Sequence, residues 1–200
     1  MKRLILCLLA VACLATITRA QDSPKIEVTG DYSYYRFNPG LPSYFNSQNL
    51  NGGGGQIAVY LNKWFAIAGD LQGYGSYTQC TKPGAAVSGC ASGNLFTYTF
   101  GPQLKYRAGK LEPFFETLMG GAHSNFYANG CTILECGSKS PSNNAFALAI
   151  GGGVDLNISS KFSVRVVDAD YELTRFGNNF TGGNNSQSNF RFQTGVQFRF

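Results

Sequence analysis

The chain has 200 residues, of which 14% are aromatic and only 14% are charged, and its 25 glycines are a high number. After residue 20, no stretch reaches the ~18 uninterrupted apolar residues that a membrane helix needs, so a helical membrane protein is excluded. The length suits one domain or one barrel better than two domains, and a membrane protein of this composition must span as strands.

Residues 1–20 have the pattern of a secretory signal peptide. Lys2 and Arg3 form a basic start, residues 4–17 an apolar core, and residues 18–20 a small-residue exit. Cys13 raises the alternative of a lipoprotein, although the residues before it are a poor lipidation signal. Cleavage after residue 20 leaves thirteen basic and eleven acidic residues, a net charge of +2, which gives no argument for a nucleic-acid partner.

Residues 21–200 divide into eight segments with a period of two, which predicts strands. The predicted strands are 25–37, 53–61, 64–74, 95–107, 112–123, 144–157, 161–175 and 189–200. The connections alternate between long and short. The long ones are 38–51, 75–94, 124–143 and 177–188, and the short ones are 62–63, 108–111 and 158–160. Such alternation predicts an all-β fold, an eight-stranded antiparallel up-and-down transmembrane β-barrel with its long loops at one end.

Two strands depart from simple alternation. In the seventh, the apolar residues change parity, and a β-bulge near Val167 and Asp168 would keep Arg165, Asp170 and Glu172 on one face. In the fifth, Glu116 shares its parity with Phe114 and Leu118. Tyrosines near several strand ends suit aromatic girdles at the membrane interfaces, namely Tyr32, Tyr34, Tyr35, Tyr74, Tyr77, Tyr98 and Tyr171.

The last strand carries the most specific signal. Residues 189–200 place five apolar residues on one face and glutamine, glycine and arginine on the other, and the sequence ends on Phe200. This segment resembles the C-terminal signature of bacterial outer membrane β-barrels, and the whole pattern resembles the small eight-stranded barrels of the outer membrane protein A and X type. The resemblance implies that Phe198 and Phe200 are read by the barrel assembly machinery. The sequence ends without the peptidoglycan-binding domain of full outer membrane protein A, so a cell-wall tether is not expected.

The polar faces of the strands predict a charged barrel interior. Its members are Glu27, Asp31, Asp70, Lys105, Arg107, Glu116, Asp155, Arg165, Asp170, Glu172, Arg191 and Arg199. Eight strands leave a lumen just wide enough for side chains to fill it, so we expect a packed ion network. A narrow ion-conducting path is the alternative. A soluble lipocalin-like barrel is a further alternative, but this polar face would make a poor ligand-holding core.

Four cysteines follow the signal peptide, and an exported chain meets an oxidising compartment. Three connectivities exist, and we expect the local pairs Cys80–Cys90 and Cys131–Cys136, because each closes one loop without crossing the barrel. The cysteine spacings and the single histidine do not suit a metal site, so no metal or cofactor is predicted.

His123 and Ser124 are the residues that suggest an enzyme. Lipid A deacylases are outer membrane barrels with a histidine and a serine on one strand, one residue apart. Here the two residues are adjacent and would point to opposite faces, so catalysis is not predicted.

The sequence therefore predicts a non-catalytic, monomeric protein of the bacterial outer membrane with a structural or surface-binding role. Its partners would be outer membrane lipid, the barrel assembly machinery and an extracellular ligand at the loops. A small porin-like channel and a lipid A-modifying enzyme are the alternatives.

Overall fold

Apolar and polar side chains alternate along most of the strands, so that one face can meet lipid and the other the lumen. In a computed structural model, the described residues are 25–41, 43–107, 109–127, 129, 144–176 and 186–200. They form β1 (Ile26–Phe37), β2 (Gln48–Tyr60), β3 (Phe65–Cys80), β4 (Cys90–Lys105), β5 (Leu111–His123), β6 (Asn144–Asn157), β7 (Phe162–Thr174) and β8 (Gln187–Arg199). Each strand pairs antiparallel with the next, and β8 pairs with β1 to close the barrel. The predicted fold is confirmed.

The two faces of the wall differ sharply in polarity. Large apolar side chains such as Leu71, Phe100 and Phe198 are exposed on the outside, where they would meet lipid. Buried glutamine, glutamate, aspartate and arginine side chains line the inside. In the described part of the chain, no helix is long and apolar enough to cross a membrane.

Three strands are longer than the sequence predicts. Residues 48–51 of the predicted loop 38–51 belong to β2. Both ends of the predicted loop 75–94 are strand, because β3 runs to Cys80 and β4 starts at Cys90. Beyond the rim, the β3–β4 hairpin pairs only with itself, since the β2 and β5 partners stop at Tyr74 and Phe96. The sequence did not predict this extension, because its small polar residues lack the apolar alternation of a strand in lipid.

The register of β7 against β8 shifts between Arg165 and Asp168, where the sequence predicts a bulge. Val166 is 50% exposed and Val167 is 41% exposed, so two consecutive side chains face outward. Arg165 and Asp168 on either side of them both point inward and are buried. The bulge therefore brings Asp168 into the lumen, although the sequence did not predict it among the interior residues.

Candidate functional site

The lumen near the short turns is organised around Glu27 on β1. Its carboxylate accepts hydrogen bonds from Lys105 Nζ, from Arg107 Nη2 at 2.7 Å and from the Tyr60 hydroxyl at 2.9 Å. Lys105 also contacts Asp155 Oδ2 at 2.6 Å, so one ammonium group joins β1, β4 and β6. Lys105 and Glu27 are both buried, and their charges are satisfied by each other and by these neighbours.

Two arginines extend this cluster. Arg165 binds Asp155 and Asp168, each at 3.1 Å, and its guanidinium lies 4.3 Å from the centre of the Phe114 ring. This contact accounts for an aromatic residue on the inner face of β5. Arg199 on β8 contacts Glu27 at 3.2 Å and forms an ion pair with Glu112.

A second ionic cluster lies farther toward the long loops, around Arg191. Its guanidinium contacts Asp70 on β3 and Asp170 on β7, both at 2.7 Å, and Glu172 at 3.9 Å. The Tyr35 hydroxyl donates to Glu172 Oε1 at 3.1 Å. Arg191 is fully buried, so this cluster ties three strands together inside the barrel.

The interior holds more acids than the sequence predicts. The structure places all twelve predicted charged residues on the inner wall, and it adds Glu112 and Asp168. Among the described residues, nine acids therefore face five bases: Glu27, Asp31, Asp70, Glu112, Glu116, Asp155, Asp168, Asp170 and Glu172 against Lys105, Arg107, Arg165, Arg191 and Arg199. The acids outnumber the bases by more than the twelve predicted residues imply, because Glu112 shares the parity of Glu116 and the bulge turns Asp168 inward.

Amide side chains serve the acids that the cations do not reach. The Glu116 carboxylate accepts hydrogen bonds from Gln103 Nε2 at 2.7 Å and from Gln56 Nε2 at 3.0 Å. Asp31 accepts from Gln72 Nε2 at 2.9 Å and from Gln193 Nε2 at 3.3 Å. The interior is thus a mixed network of ions and amides.

Among the described residues, Glu116, Asp168 and Asp170 are the ones best placed to hold a metal ion. One carboxylate oxygen from each lies within 4.8 Å of the others, and such oxygens suit a hard cation. However, Arg165 binds Asp168 and Arg191 binds Asp170, so two of the three carboxylates already have cationic partners. These contacts assign the three residues to the ion network.

An apolar plug fills the lumen at the loop end. Phe126, from the segment after β5, packs on Tyr77 and Phe45 with ring centroids 5.6 and 5.2 Å apart. Gly93 makes room for it, because a Cβ atom there would lie 2.6 Å from Phe126 Cβ. Tyr127 stacks on Phe176 at 4.8 Å. The other buried members are Tyr35, Phe37, Leu41, Leu50, Tyr74, Ala91, Leu95, Ala122, Ala145 and Ala147.

The plug also contains described residues of three long loops. Leu41 and Phe45 belong to the β1–β2 loop, Phe126 and Tyr127 to the β5–β6 loop, and Phe176 to the β7–β8 loop. The Tyr127 hydroxyl donates to the Pro39 carbonyl at 3.1 Å, and burial raises the pKa of the Tyr127 phenol well above its usual value, so it stays a neutral donor. Three loops therefore share one apolar core.

The predicted aromatic girdle needs a correction because of this plug. Tyr35, Tyr74 and Tyr77 are buried in the lumen and do not face lipid. Tyr35 and Tyr74 have the parity of the inner face, and the register shift between Tyr74 and Tyr77 turns Tyr77 inward as well. A barrel of eight strands has space for aromatic rings where no ions are packed. Tyr32, Tyr98 and Tyr171 do lie on the outer surface.

The disulfide Cys80–Cys90 is confirmed. The two cysteines face each other as the last pair of the β3–β4 hairpin, with Cα atoms 3.9 Å apart. The bond therefore closes the hairpin where it extends beyond the barrel. The second predicted pair, Cys131 and Cys136, lies outside the described residues.

His123 and Ser124 have different environments at the end of β5. His123 is exposed and its Nδ1 lies 2.9 Å from Asn144 Oδ1, whereas Ser124 is buried. Phe198 and Phe200, the predicted assembly signal, are exposed on the lipid face. The Phe200 amide donates to the Ile26 carbonyl at 2.9 Å, so the last residue is paired with β1.

A closed barrel with an apolar exterior and an ionic lumen defines an integral β-barrel of the bacterial outer membrane, since only a closed barrel can satisfy strand hydrogen bonds in lipid. The model of the outer membrane protein beta-barrel domain matches residues 4–200. The chain belongs to this family, and its location is the outer membrane.

Solved structures of small outer membrane barrels share the fold. Ail, the attachment invasion locus protein of Yersinia pestis, is 15% identical with a TM-score of 0.52, over 89% of this chain and 99% of Ail. Neisserial surface protein A is 13% identical with a TM-score of 0.57, over 88% and 97%. OprG from Pseudomonas aeruginosa is 11% identical with a TM-score of 0.53, over 89% and 96%. No curated protein matches this chain in sequence. At these identities the likeness concerns the fold alone.

Proposed function

We propose that this chain is a non-catalytic envelope barrel whose loop end binds a partner at the cell surface. The observation that carries the proposal is that the lumen is filled both near the short turns and near the long loops. Ion pairs and amides occupy the lumen from the short turns up to the Arg191 cluster, and the aromatic plug occupies the end near the long loops. With the interior occupied, the loops and their rim are the surface left for a function.

A porin-like channel finds little support in this interior. Arg191 reaches both β3 and β7, and Lys105 joins β1 to β6, so the clusters cross the space that an ion would need. Above them, Phe126 closes the loop end against Tyr77 and Phe45. In planar bilayers we expect no conductance above the lipid background, and stable unitary currents would favour the channel instead.

A lipid A-modifying enzyme finds equally little support. A nucleophile and its base must lie within hydrogen-bonding distance of each other. His123 points outward to Asn144, while the buried Ser124 hydroxyl accepts a hydrogen bond from the Phe126 amide at 3.3 Å. If His123→Ala left the mass of lipid A unchanged in cells, catalysis by this pair would be rejected.

The charges at the loop-end rim indicate the class of partner. Arg36 near the end of β1 and Arg175 just after β7 are both exposed. In the described part of the chain, no acidic side chain is exposed at this end. Arginine suits bidentate contacts to sulfate and phosphate groups. Ail has been solved in complex with the heparin analogue sucrose octasulfate. A sulfated or phosphorylated glycan is therefore the proposed partner.

The test is binding of purified protein in lipid nanodiscs to immobilised heparin, at several salt concentrations. We expect salt-dependent binding that Arg36→Gln/Arg175→Gln weakens by about tenfold. Lys25→Gln/Lys161→Gln removes the same charge at the other end of the barrel and is the matched control. Absence of binding, or equal losses in both double variants, would reject a rim site for polyanions.

We further expect a monomer whose last strand is read by the barrel assembly machinery through Phe198 and Phe200. Crosslinking during assembly from position 198 tests the contact with the barrel assembly machinery. Light scattering of the detergent-solubilised protein tests whether it is a monomer.

A further inference from the structure

Charge is strictly segregated between the two faces of this barrel. All nine acidic residues in the described part of the chain point into the lumen. Every exposed charged side chain in the same ranges is basic, and these are Lys25, Arg36, Lys63, Lys110, Lys161 and Arg175. The outer surface therefore attracts anions and has, over these residues, no carboxylate to repel them.

Four of the six exposed cations form a ring at the short-turn end. Lys63, Lys110 and Lys161 lie in the β2–β3, β4–β5 and β6–β7 turns, and Lys25 lies where β1 begins beside β8. Main-chain hydrogen bonds hold them at the end of the barrel wall. For example, Asn157 N donates to Lys110 O at 2.7 Å, and Arg199 N donates to Lys161 O at 3.0 Å. Short turns face the periplasm in barrels of this family, so the ring lies at the inner-leaflet interface.

An apolar groove opens on the outer wall beside the turns that carry two of these lysines, Lys63 and Lys110. It has a volume of about 480 Å³, and its walls include Trp64, Leu104, Tyr106, Pro113 and Phe115. Lys63 directly precedes Trp64 on one side of the groove. On the other side, Lys110 lies in the turn that joins Tyr106 to Pro113.

Main-chain hydrogen bonds join the segments that line the groove at the edge of the barrel. Lys105 N donates to Trp64 O and Tyr106 N donates to Pro113 O, both at 2.8 Å. Trp64 and Tyr106 have the mixed polarity that favours the headgroup level of a bilayer. The site thus combines an apolar cleft with two exposed lysines on the adjoining turns.

We infer that this groove binds one anionic phospholipid of the periplasmic leaflet, with its phosphate between Lys63 and Lys110 and its acyl chain along Leu104 and Phe115. Lysines near a membrane surface enrich anionic lipids several-fold each. The neighbouring apolar cleft adds a fixed position for one lipid. The inference uses the outer membrane location and is independent of what the loops bind.

The chain itself supplies the probe, because Trp64 is its single tryptophan. Protein is folded into vesicles that contain phosphatidylglycerol and phosphatidylcholine, with brominated acyl chains on one lipid at a time, and the quenching of Trp64 fluorescence is measured. Quenching by brominated phosphatidylglycerol is compared with quenching by brominated phosphatidylcholine. The comparison gives the affinity of the position beside Trp64 for the anionic lipid relative to the neutral one. We expect phosphatidylglycerol to be preferred at least about fivefold, since two lysines act together.

In the variant Lys63→Gln/Lys110→Gln, the ratio of the affinity for phosphatidylglycerol to that for phosphatidylcholine should fall close to one. Lys25→Gln/Lys161→Gln removes two charges from the other side of the same ring and should keep the preference. The proposal is overturned by the absence of a preference in the wild type, by its persistence in the first variant, or by an equal loss in both. The last outcome would show that diffuse surface charge attracts the lipid and that no built site exists.

Discussion

Arg191 on β8 and Asp70 on β3 meet inside the barrel, where the guanidinium Nη1 donates to the Asp70 carboxylate at 2.7 Å. They lie 121 positions apart in the chain and three strands apart around the wall. Lys105 and Glu27 make a similar contact between β4 and β1. Cross-lumen ion pairs therefore brace the barrel, and each depends on every strand being in its correct register.

Removal of Arg191 should be severely destabilising. Arg191→Met leaves Asp70 and Asp170 buried without their main cationic partner, and loss of one member of a buried ion pair costs about 3–5 kcal/mol. Urea unfolding in vesicles, followed by the mobility of unboiled samples on gels, measures the free energy. Arg175→Met, at an exposed position, should change it by no more than ~0.5 kcal/mol. Equal effects of the two substitutions would contradict a bracing role for the lumen.

Truncation of Phe126 should release the loops from the barrel. Phe126→Ala removes the ring that packs on Phe45 and Tyr77, which opens a cavity at a cost of about 3–5 kcal/mol. We expect faster proteolysis within residues 43–47 of the β1–β2 loop. Phe100→Ala removes the same side chain from the lipid face and should leave the loop protected. Protection that survived Phe126→Ala would mean that the plug does not hold the loops.

The disulfide should stabilise the protein without being required for insertion. Cys80→Ser/Cys90→Ser frees a hairpin end that lies beyond the barrel, and closure of a loop with a sequence separation of 10 contributes about 2–3 kcal/mol. The double variant should still reach the outer membrane and show the gel shift on boiling. Mass spectrometry of unreduced peptides should recover Cys80 linked to Cys90, and it also tests the predicted pair Cys131–Cys136. A peptide that links Cys80 to Cys131 would contradict both local pairs.

Two strand glycines should differ in their tolerance of alanine. At Gly101, a Cβ atom would lie 2.1 Å from the Thr117 carbonyl oxygen of the neighbouring strand, so Gly101→Ala should cost about 1–3 kcal/mol. At Gly69, no other atom lies within 4 Å of such a Cβ, and Gly69→Ala should be neutral or slightly stabilising. Urea unfolding of both variants in the same vesicles makes the comparison. The close approach of β4 to β5 would be disproved if the two variants were equally stable.

The local features of this chain follow directly from its sequence. A period of two assigns each side chain to a face, and it predicted all eight strands, the closed up-and-down fold and the inward direction of Lys105 and Arg191. The change of parity in β7 predicted the bulge. The pairing of Cys80 with Cys90 was also predicted, because this pair closes one loop without crossing the barrel.

Only the closed barrel decided which inward residues meet. Parity places Tyr35 and Glu27 on the same inner face, but it does not say that Tyr35 joins an aromatic plug while Glu27 receives three cations. Those contacts depend on the stagger of the strands, which fixes the height of each residue in the lumen and hence its neighbours across it. Sequence patterning is local and one-dimensional, whereas the pairing of Arg191 with Asp70 exists only after β8 has closed against β1.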